Sequence, residues 1–314
     1  MMKKVNESVR RGGEMNDNWI SRKRKSPFVE LFPSQIPNGH WCPSFWYAKP
    51  VYGCSHRCVT CFMHNLKNKY DTPNTVFDNI GDLRKELIEW DKNHSQTMLC
   101  FGTETADMLK DRAKIIKVWK EEPESVALDV FKGSSNKALF LTKSKNIGWF
   151  LKTKPCDNIV ISFSINGIKA GKFWERNTCS MESRLEAIEK LISLGWSVRV
   201  RVDPLLIDAD FFRSDIKEIA EFINRVNIQG ITSGVMRRNK RPIFNLQRQL
   251  EGIGYFFNLL TKEKQKLFMV CKADLEVIDI LKLKGHNCNC MYGHNKLSDS
   301  RVTSKDANGQ LSFI

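Results

Sequence analysis

The sequence lacks any apolar run long enough to cross a bilayer, and its basic N-terminus has no apolar segment of the kind found in secretory signals. These absences argue against a membrane protein and a secreted protein, and they predict a cytoplasmic location. The ten cysteines are then not expected to form the disulfide framework of a small secreted domain. In an intracellular chain of 314 residues, cysteines more often bind metal or remain reduced, so their spacing must decide their role.

Acidic residues are also scarce relative to basic ones. The chain has 35 Asp and Glu against 50 Lys and Arg, a formal net charge of +15. A charge of this size creates a field that attracts polyanions, which makes nucleic acid the first partner to consider. The alternative is a solvated basic surface that only aids solubility. With 41% hydrophobic and 27% charged residues, the composition is that of an ordinary globular protein.

The chain divides into three predicted regions. Residues 1–26 carry eight Lys and Arg without a hydrophobic period, which predicts a basic arm outside the fold. Residues 27–242 are predicted to form the core, and residues 243–314 a helix-rich C-terminal extension.

Within the core, β-rich runs alternate with amphipathic helical runs, the pattern of repeated βα units. Six such units predict an α/β fold, a partial (β/α)6 TIM-like barrel with reactive groups at the C-terminal ends of its strands. The predicted strands are Ala48–Tyr52, Thr97–Phe101, Ala138–Leu141, Ile159–Phe163, Ser197–Val202 and Ile228–Val235.

Helices are predicted between these strands. Leu83, Leu87 and Trp90 mark one buried stripe. A second stripe precedes Gly195, which suits the position after a helix C-terminus; it consists of Leu185, Ile188 and Ile192. Another helix is predicted to begin at Asp215, where Glu218 would complete a capping box.

The first predicted strand is followed by Cys54, Cys58 and Cys61 in a CxxxCxxC pattern. Three thiolates on one loop can each bind a different iron of a 4Fe-4S cluster and leave the fourth iron open. The pattern is also compatible with a zinc knuckle completed by a distant ligand, or with thiols that lie close together by chance. His56 is predicted to face solvent or to support a ligand rather than to be one.

The Cys loop and several downstream segments, over about residues 46–205, resemble the radical S-adenosylmethionine superfamily and, within it, the spore photoproduct lyase-related group. The downstream segments are Phe101–Asp107 (FGTETAD), Phe140–Ser144 (FLTKS), Ile161–Asn166 (ISFSIN), Trp174–Arg176 followed by Ser183–Leu185, and Arg199–Pro204 (RVRVDP).

The resemblance implies a 4Fe-4S cluster on Cys54, Cys58 and Cys61, with S-adenosylmethionine bound at the open iron. It further implies reductive cleavage to a 5′-deoxyadenosyl radical that abstracts hydrogen from a substrate, and a reductant such as flavodoxin or ferredoxin. The residues implied to contact the cofactor are Thr103, Glu104, Thr105, Lys143, Ser164, Asn166 and Arg184. Among them, the Lys and the Arg have the charge needed to neutralise a carboxylate.

Two departures from the family pattern limit what the resemblance implies. Thr60 stands before the last motif cysteine, where the superfamily often has an aromatic residue. Glu104 takes the place of the cysteine that donates hydrogen in the lyase itself. Dimer repair is therefore not predicted, and a lyase-related enzyme of another function is the better match.

A nucleic acid or nucleotide-derived compound is the leading substrate hypothesis. The basic run Arg237–Arg241 follows the last predicted strand and would lie near the mouth of the barrel. Two alternatives remain open. The enzyme could modify a peptide or a small metabolite, or the chain could be a zinc-dependent nucleic-acid-binding module without catalysis.

The C-terminal extension contains a second group of soft ligands, Cys271, Cys288 and Cys290, with His286 nearby. They could hold an auxiliary Fe-S cluster or zinc, or they could be structural thiols. The spacing of Cys42, Cys156 and Cys179 fits no metal site, which predicts isolated thiols.

Overall fold

The computed structural model describes residues 19–32, 35–36, 40–41, 45–56, 58, 61, 73–102, 106–175, 177–206, 212–234 and 246–270. Its strands are β1 Trp19–Arg22, β2 Val29–Phe32, β3 Gln35–Ile36, β4 His40–Trp41, β5 Phe45–Ala48, β6 Val51–Tyr52, β7 Asn74–Phe77, β8 Met98–Phe101, β9 Lys137–Thr142, β10 Ile159–Ser164, β11 Ser197–Val202, β12 Ile231–Ser233 and β13 Phe268–Val270. Its helices are α1 Ile80–Asn93, α2 Arg112–Trp119, α3 Pro123–Phe131, α4 Ile168–Trp174, α5 Met181–Ser193, α6 Phe212–Arg225, α7 Leu246–Leu259 and α8 Lys262–Lys266.

The main sheet contains seven parallel strands in the order β5-β8-β9-β10-β11-β12-β13, and β2 pairs antiparallel with β5 at one edge. Neighbouring strands in the parallel part follow one another along the chain, as successive βαβ units require. The central strand β10 reads IVISFS and is buried along its whole length. Such continuous burial is typical of parallel strands covered on both faces. The predicted α/β class with a parallel sheet is confirmed.

The first predicted strand, Ala48–Tyr52, is wrong as a single element. Strand β5 ends at Ala48, and Val51 and Tyr52 belong to a separate three-stranded sheet with the order β1-β7-β6. Pro50 lies between the two elements and has no backbone N–H for a sheet ladder, although its carbonyl accepts a bond of 3.1 Å from Phe77 N. The predicted strand Ile228–Val235 is observed only over Ile231–Ser233. Strand β13 was not predicted.

Both boundaries of the predicted core are revised. Trp19–Arg22 pairs in parallel with β7, so residues from Trp19 onward belong to the fold and not to the predicted arm. Arg24 lies over the ring of Phe77, with its guanidinium carbon 5.2 Å from the ring centroid, and it forms an ion pair of 2.6 Å with Glu30. At the other end, β13 joins the main sheet, so the core continues beyond residue 242. Cys271, Cys288 and Cys290 lie outside the described residues, as does Arg237–Arg241.

Helix α1 packs on the sheet through its predicted stripe, whereas in α5 only Ile188 of the predicted stripe is fully buried and Leu185 and Ile192 are half-buried. Helix α1 buries Leu83, Leu87 and Trp90. Helix α5 begins after Ser180, whose hydroxyl accepts a bond from Ser183 N. Gly195 follows the C-terminus of α5 with φ +90°, as its predicted position requires.

The predicted start of α6 at Asp215 is wrong, because the helix already includes Phe212. The Asp215 carboxylate instead accepts a bond of 2.8 Å from Ala170 N in the first turn of α4. A Cβ at Gly167 would overlap Asp215, which explains the glycine at that position. The acidic side chain thus caps a neighbouring helix rather than its own.

No helix in the described part of the chain combines the length and the apolar character needed to cross a bilayer.

Candidate active site at the C-terminal edge of the sheet

The Cys loop leaves strand β6 through Gly53, which has φ +100° and packs so closely on Asn74 that any Cβ would overlap it. Cys58 is buried, Cys54 and Cys61 are half-buried, and none of the three forms a disulfide. A backbone bond of 3.0 Å from Cys61 N to Cys58 O closes a turn between the last two thiols. The loop therefore begins from a fixed point and presents reduced cysteines.

Two side chains tie this loop to the segment that follows strand β8. Ser55 donates from its backbone N and its hydroxyl to the Asp111 carboxylate, over 3.1 and 2.5 Å. His56 Nε2 lies 2.8 Å from Asp107 Oδ2, and both side chains are buried. The interpretation of His56 as a solvent-facing residue is wrong, and its interpretation as a supporting group agrees with this contact. His56 Nδ1 is buried without a hydrogen-bond partner among the described residues.

Asp107 accepts hydrogen bonds from three separate segments. Besides His56, its carboxylate accepts from the Thr142 hydroxyl at the end of β9 (2.9 Å) and from Lys143 N (2.7 Å). It also accepts from the backbone N of Leu109 and of Lys110 in its own loop. We refer to Asp107, His56 and Thr142, with these backbone donors, as the Asp107 cluster. The cluster joins the Cys loop to the ends of β8 and β9.

The protonation of Asp107 follows from these contacts. Burial alone would raise the pKa of its carboxyl, but hydrogen bonding and charge interaction with His56 oppose burial, and so do the backbone donors Lys143 and Lys110. The net effect is a lowered pKa. Asp107 is therefore an ionised acceptor at neutral pH, and its oxygens are already used by the chain itself.

A second buried carboxylate, Glu175, lies after helix α4. It accepts from Lys143 Nζ (2.6 Å), Arg184 Nη1 (2.6 Å) and Asn166 Nδ2 (3.3 Å). Burial would raise the pKa of Glu175, but the two cations outweigh that effect and lower the pKa to about 2. We refer to these four side chains as the Glu175 cluster.

Arg184 is fully buried, and its contacts fix it in place. Beyond Glu175, its terminal nitrogens donate to Ser164 O (2.9 Å), to the Thr178 hydroxyl and to Cys179 O (3.2 Å). Its Nε has no partner within the described residues. Lys143 differs, because 20% of its side chain is exposed. Of the two cations, Lys143 is the one that a ligand can reach.

The structure thus brings together four of the predicted cofactor residues, Lys143, Ser164, Asn166 and Arg184. Their role as cofactor contacts stays a prediction. Thr103, Glu104 and Thr105 lie outside the described residues.

The sequence pattern assigns no role to Glu175 or Asp107, although both stand within the motif segments. The signal that could have found them is an acidic residue near predicted basic groups at the strand ends.

The donor set fits an Fe-S cluster. Burial raises the pKa of Cys54 well above its ordinary value and that of Cys58 to about 12, so the metal-free protein holds both as thiols. Ligation requires thiolates, and metal binding would therefore release protons. Among the residues that the structure covers, no three His, Cys, Asp or Glu side chains converge on one metal ion. A cubane needs no such convergence, because each cysteine binds a different iron.

No family model matches the chain. The spore photoproduct lyase of Clostridium acetobutylicum is 26% identical over 169 residues, which cover 52% of this chain and 48% of the relative. The chain is therefore similar in sequence to spore photoproduct lyase over about half of its own length. It spans about half the length of this curated relative. The match confirms the likeness to the lyase-related radical S-adenosylmethionine group that the motifs predicted.

Solved structures of spore photoproduct lyase share the fold. The lyase complexed with a dinucleoside spore photoproduct matches with a TM-score of 0.56 and 16% identity, over 82% of this chain and 68% of that one. A variant of the lyase with bound AdoMet and the same dinucleoside matches with a TM-score of 0.56, also at 16% identity, over 78% and 66%. The likeness confirms the predicted partial barrel.

Proposed function

We propose that this chain is a radical S-adenosylmethionine enzyme that holds a 4Fe-4S cluster on Cys54, Cys58 and Cys61. The observation that carries the proposal is the position of Lys143. Its backbone N binds Asp107, which anchors the Cys loop, and its side chain binds Glu175. The three thiols and the predicted cofactor residues are therefore parts of one connected site at the strand ends.

When bound, the cluster and S-adenosylmethionine supply an electron and a 5′-deoxyadenosyl radical for hydrogen abstraction from a substrate. The chain's own residues are proposed to hold the cluster and to orient the cofactor. Lys143 is the partly exposed cation and is proposed to bind the cofactor carboxylate. Arg184 is buried, so we propose that it holds Glu175 in position rather than binding the cofactor directly. Ser164 and Asn166, at the end of β10, are also buried, and they are proposed to shape the binding site from within the protein.

The proposed substrate is a nucleic acid or a nucleotide-derived compound. The net charge of +15 favours a polyanion, and a structural relative was solved with a dinucleoside spore photoproduct. Glu104 at the place of the lyase's hydrogen-donating cysteine argues against repair of that lesion. The reductant is proposed to be a flavodoxin or a ferredoxin.

Anaerobic reconstitution with iron and sulfide tests the cluster. The wild-type protein should bind iron and sulfide, show the absorbance of a 4Fe-4S cluster, and form 5′-deoxyadenosine from S-adenosylmethionine on reduction. Cys58→Ser should lose all three properties. Cys156→Ser is the matched control, because Cys156 is a free thiol before β10, remote in sequence from the Cys loop. Zinc binding in place of iron would contradict the proposal and favour the non-catalytic binding module.

A second measurement tests the substrate class. Deuterium in a labelled oligonucleotide should move into 5′-deoxyadenosine if the radical abstracts hydrogen from nucleic acid. Transfer only from labelled peptides or small metabolites would favour the alternative substrate classes.

A further inference from the structure

The loops that follow strands β8 and β9 touch each other at the edge that carries the Cys loop. Asn146 Nδ2 donates to Leu109 O over 3.1 Å, which joins the two loops directly. Helix α2 begins next to Asp111, the residue that binds Ser55 beside the first motif cysteine. The start of α2 and the loop after β9 therefore flank the proposed active site.

Three lysines on these two elements point outward. Lys114 and Lys117 are exposed one turn apart on α2, and Lys145 is exposed in the loop after β9. We refer to these three residues as the rim lysines.

The rim lysines carry charge that no described acidic residue neutralises. Neighbouring cations are paired: Lys143 binds Glu175, and Arg112 binds Glu124. No ion pair within the described residues includes a rim lysine, and the nearby Asp111 is buried against Ser55. The rim thus presents fixed positive charge to solvent beside the site, whereas the cations inside the site are compensated.

We propose that the rim lysines bind backbone phosphates of the nucleic-acid substrate and hold it over the site. This inference rests on the proposed function. Lysine ammonium groups bind phosphates as point charges without reading sequence, so they would position the strand and leave selectivity to the site itself. The net charge of +15 adds a long-range attraction for the same class of polyanion.

The test compares two triple variants that lose the same positive charge. One replaces the rim lysines (Lys114→Ala, Lys117→Ala, Lys145→Ala). The control replaces Lys92, Lys132 and Lys154, which are exposed and precede strands β8, β9 and β10 at the opposite edge of the sheet. Binding to short single-stranded and duplex DNA is measured over a range of salt concentrations, with thermal unfolding to confirm that each variant is folded.

Each phosphate contact contributes about 0.9 to the slope of log affinity against log salt on duplex DNA. The rim variant should therefore lose about 3 from the magnitude of that slope and, at about 0.1 M salt, bind on the order of a few hundredfold more weakly. The control variant should keep the wild-type slope, and a triple Lys→Arg rim variant should restore it. Formation of 5′-deoxyadenosine without nucleic acid should be the same in all variants.

An equal loss of DNA affinity in the rim and control variants would overturn the inference, because the attraction of DNA would then depend on net charge alone. Polyglutamate could instead compete for the wild-type protein as strongly as DNA does, and its binding could be lost in the same rim variant. That result would reassign the surface to acidic polypeptides. A wild-type protein that binds no DNA at low salt would remove both the rim inference and the proposed substrate. Intact 5′-deoxyadenosine formation in that case would leave the proposed radical chemistry standing.

Discussion

Asp107 and Glu175 are both buried carboxylates at the same edge of the sheet, and both have a lowered pKa, but different partners keep them ionised. Asp107 is surrounded mainly by backbone N–H groups, a hydroxyl and an imidazole. Glu175 is surrounded by two cations and an amide. The first arrangement fixes the paths of three chain segments. The second balances charge around Lys143, whose side chain is partly exposed.

The largest effect is expected from Glu175→Gln, because this change leaves the buried guanidinium of Arg184 without its counter-charge. Removing one partner of a buried ion pair costs about 3–5 kcal/mol of stability. Urea unfolding measures the loss. In the double variant with Arg184→Gln, the loss should be smaller than the sum of the two single losses. A single-variant loss below about 1 kcal/mol would show that the pair is not electrostatically coupled.

The same variant has a pH signature. Folding lowers the pKa of Glu175 from 4.5 to about 2, so its contribution to stability is complete above pH 4.5 and is lost as the pH falls toward 2. The stability difference between wild type and Glu175→Gln should therefore shrink over that range.

A smaller effect is expected from Asp107→Ala, because most of the donors to Asp107 are backbone N–H groups and a hydroxyl rather than a permanently charged guanidinium. Several buried donors would lose their acceptor, at a total cost of about 3 kcal/mol. Hydrogen exchange separates this variant from the previous one. The backbone N–H groups of Leu109 and Lys143 donate to Asp107, and they should exchange faster in Asp107→Ala but not in Glu175→Gln. Equal protection in both variants would contradict the role assigned to Asp107.

Glu124 sharpens the comparison, because it has an ion pair and yet a raised pKa. Burial outweighs the charge of Arg112, whose side chain is 24% exposed and is shared with Glu122, and the pKa of Glu124 rises to about 7. The dependence of folding stability on pH therefore has the opposite sign to that for Glu175. Stability should fall as the pH rises from 4.5 through 7, by on the order of 2 kcal/mol. Glu124→Gln should remove this fall, as unfolding at pH 5 and pH 8 would show.

The smallest effect is expected at the exposed pair of Glu189 and Arg225, whose nearest charged atoms are 2.7 Å apart. Surface ion pairs contribute ~0.5 kcal/mol or less because water and salt screen them. Glu189→Ala should leave the unfolding midpoint almost unchanged. A loss as large as that of Glu175→Gln would show that burial is not what separates the two kinds of pair.

The sequence predicted the strands and helices that depend on a local pattern of residues. It missed the side-chain contacts that depend on partners far away in the chain. Strand β10 and the buried stripe of α1 follow from runs of apolar residues, and both are observed. Asp107 and Glu175 become central only because segments far apart in the chain meet at the strand ends. The local pattern predicts Asp215 as the cap of its own helix for the same reason, whereas its actual partner is 45 residues away.

The pairing of β1 with β7 also has a practical meaning for trimming the N-terminus. Val51 and Tyr52 pair with Val76 and Thr75 across the base of the Cys loop, and β1 covers the other edge of β7. A shortened chain that starts after Arg22 would leave that edge open and loosen the base on which the cysteines depend. Removal of residues up to 18 would keep the pairing intact, so the choice of the first residue should affect how well the purified protein retains iron.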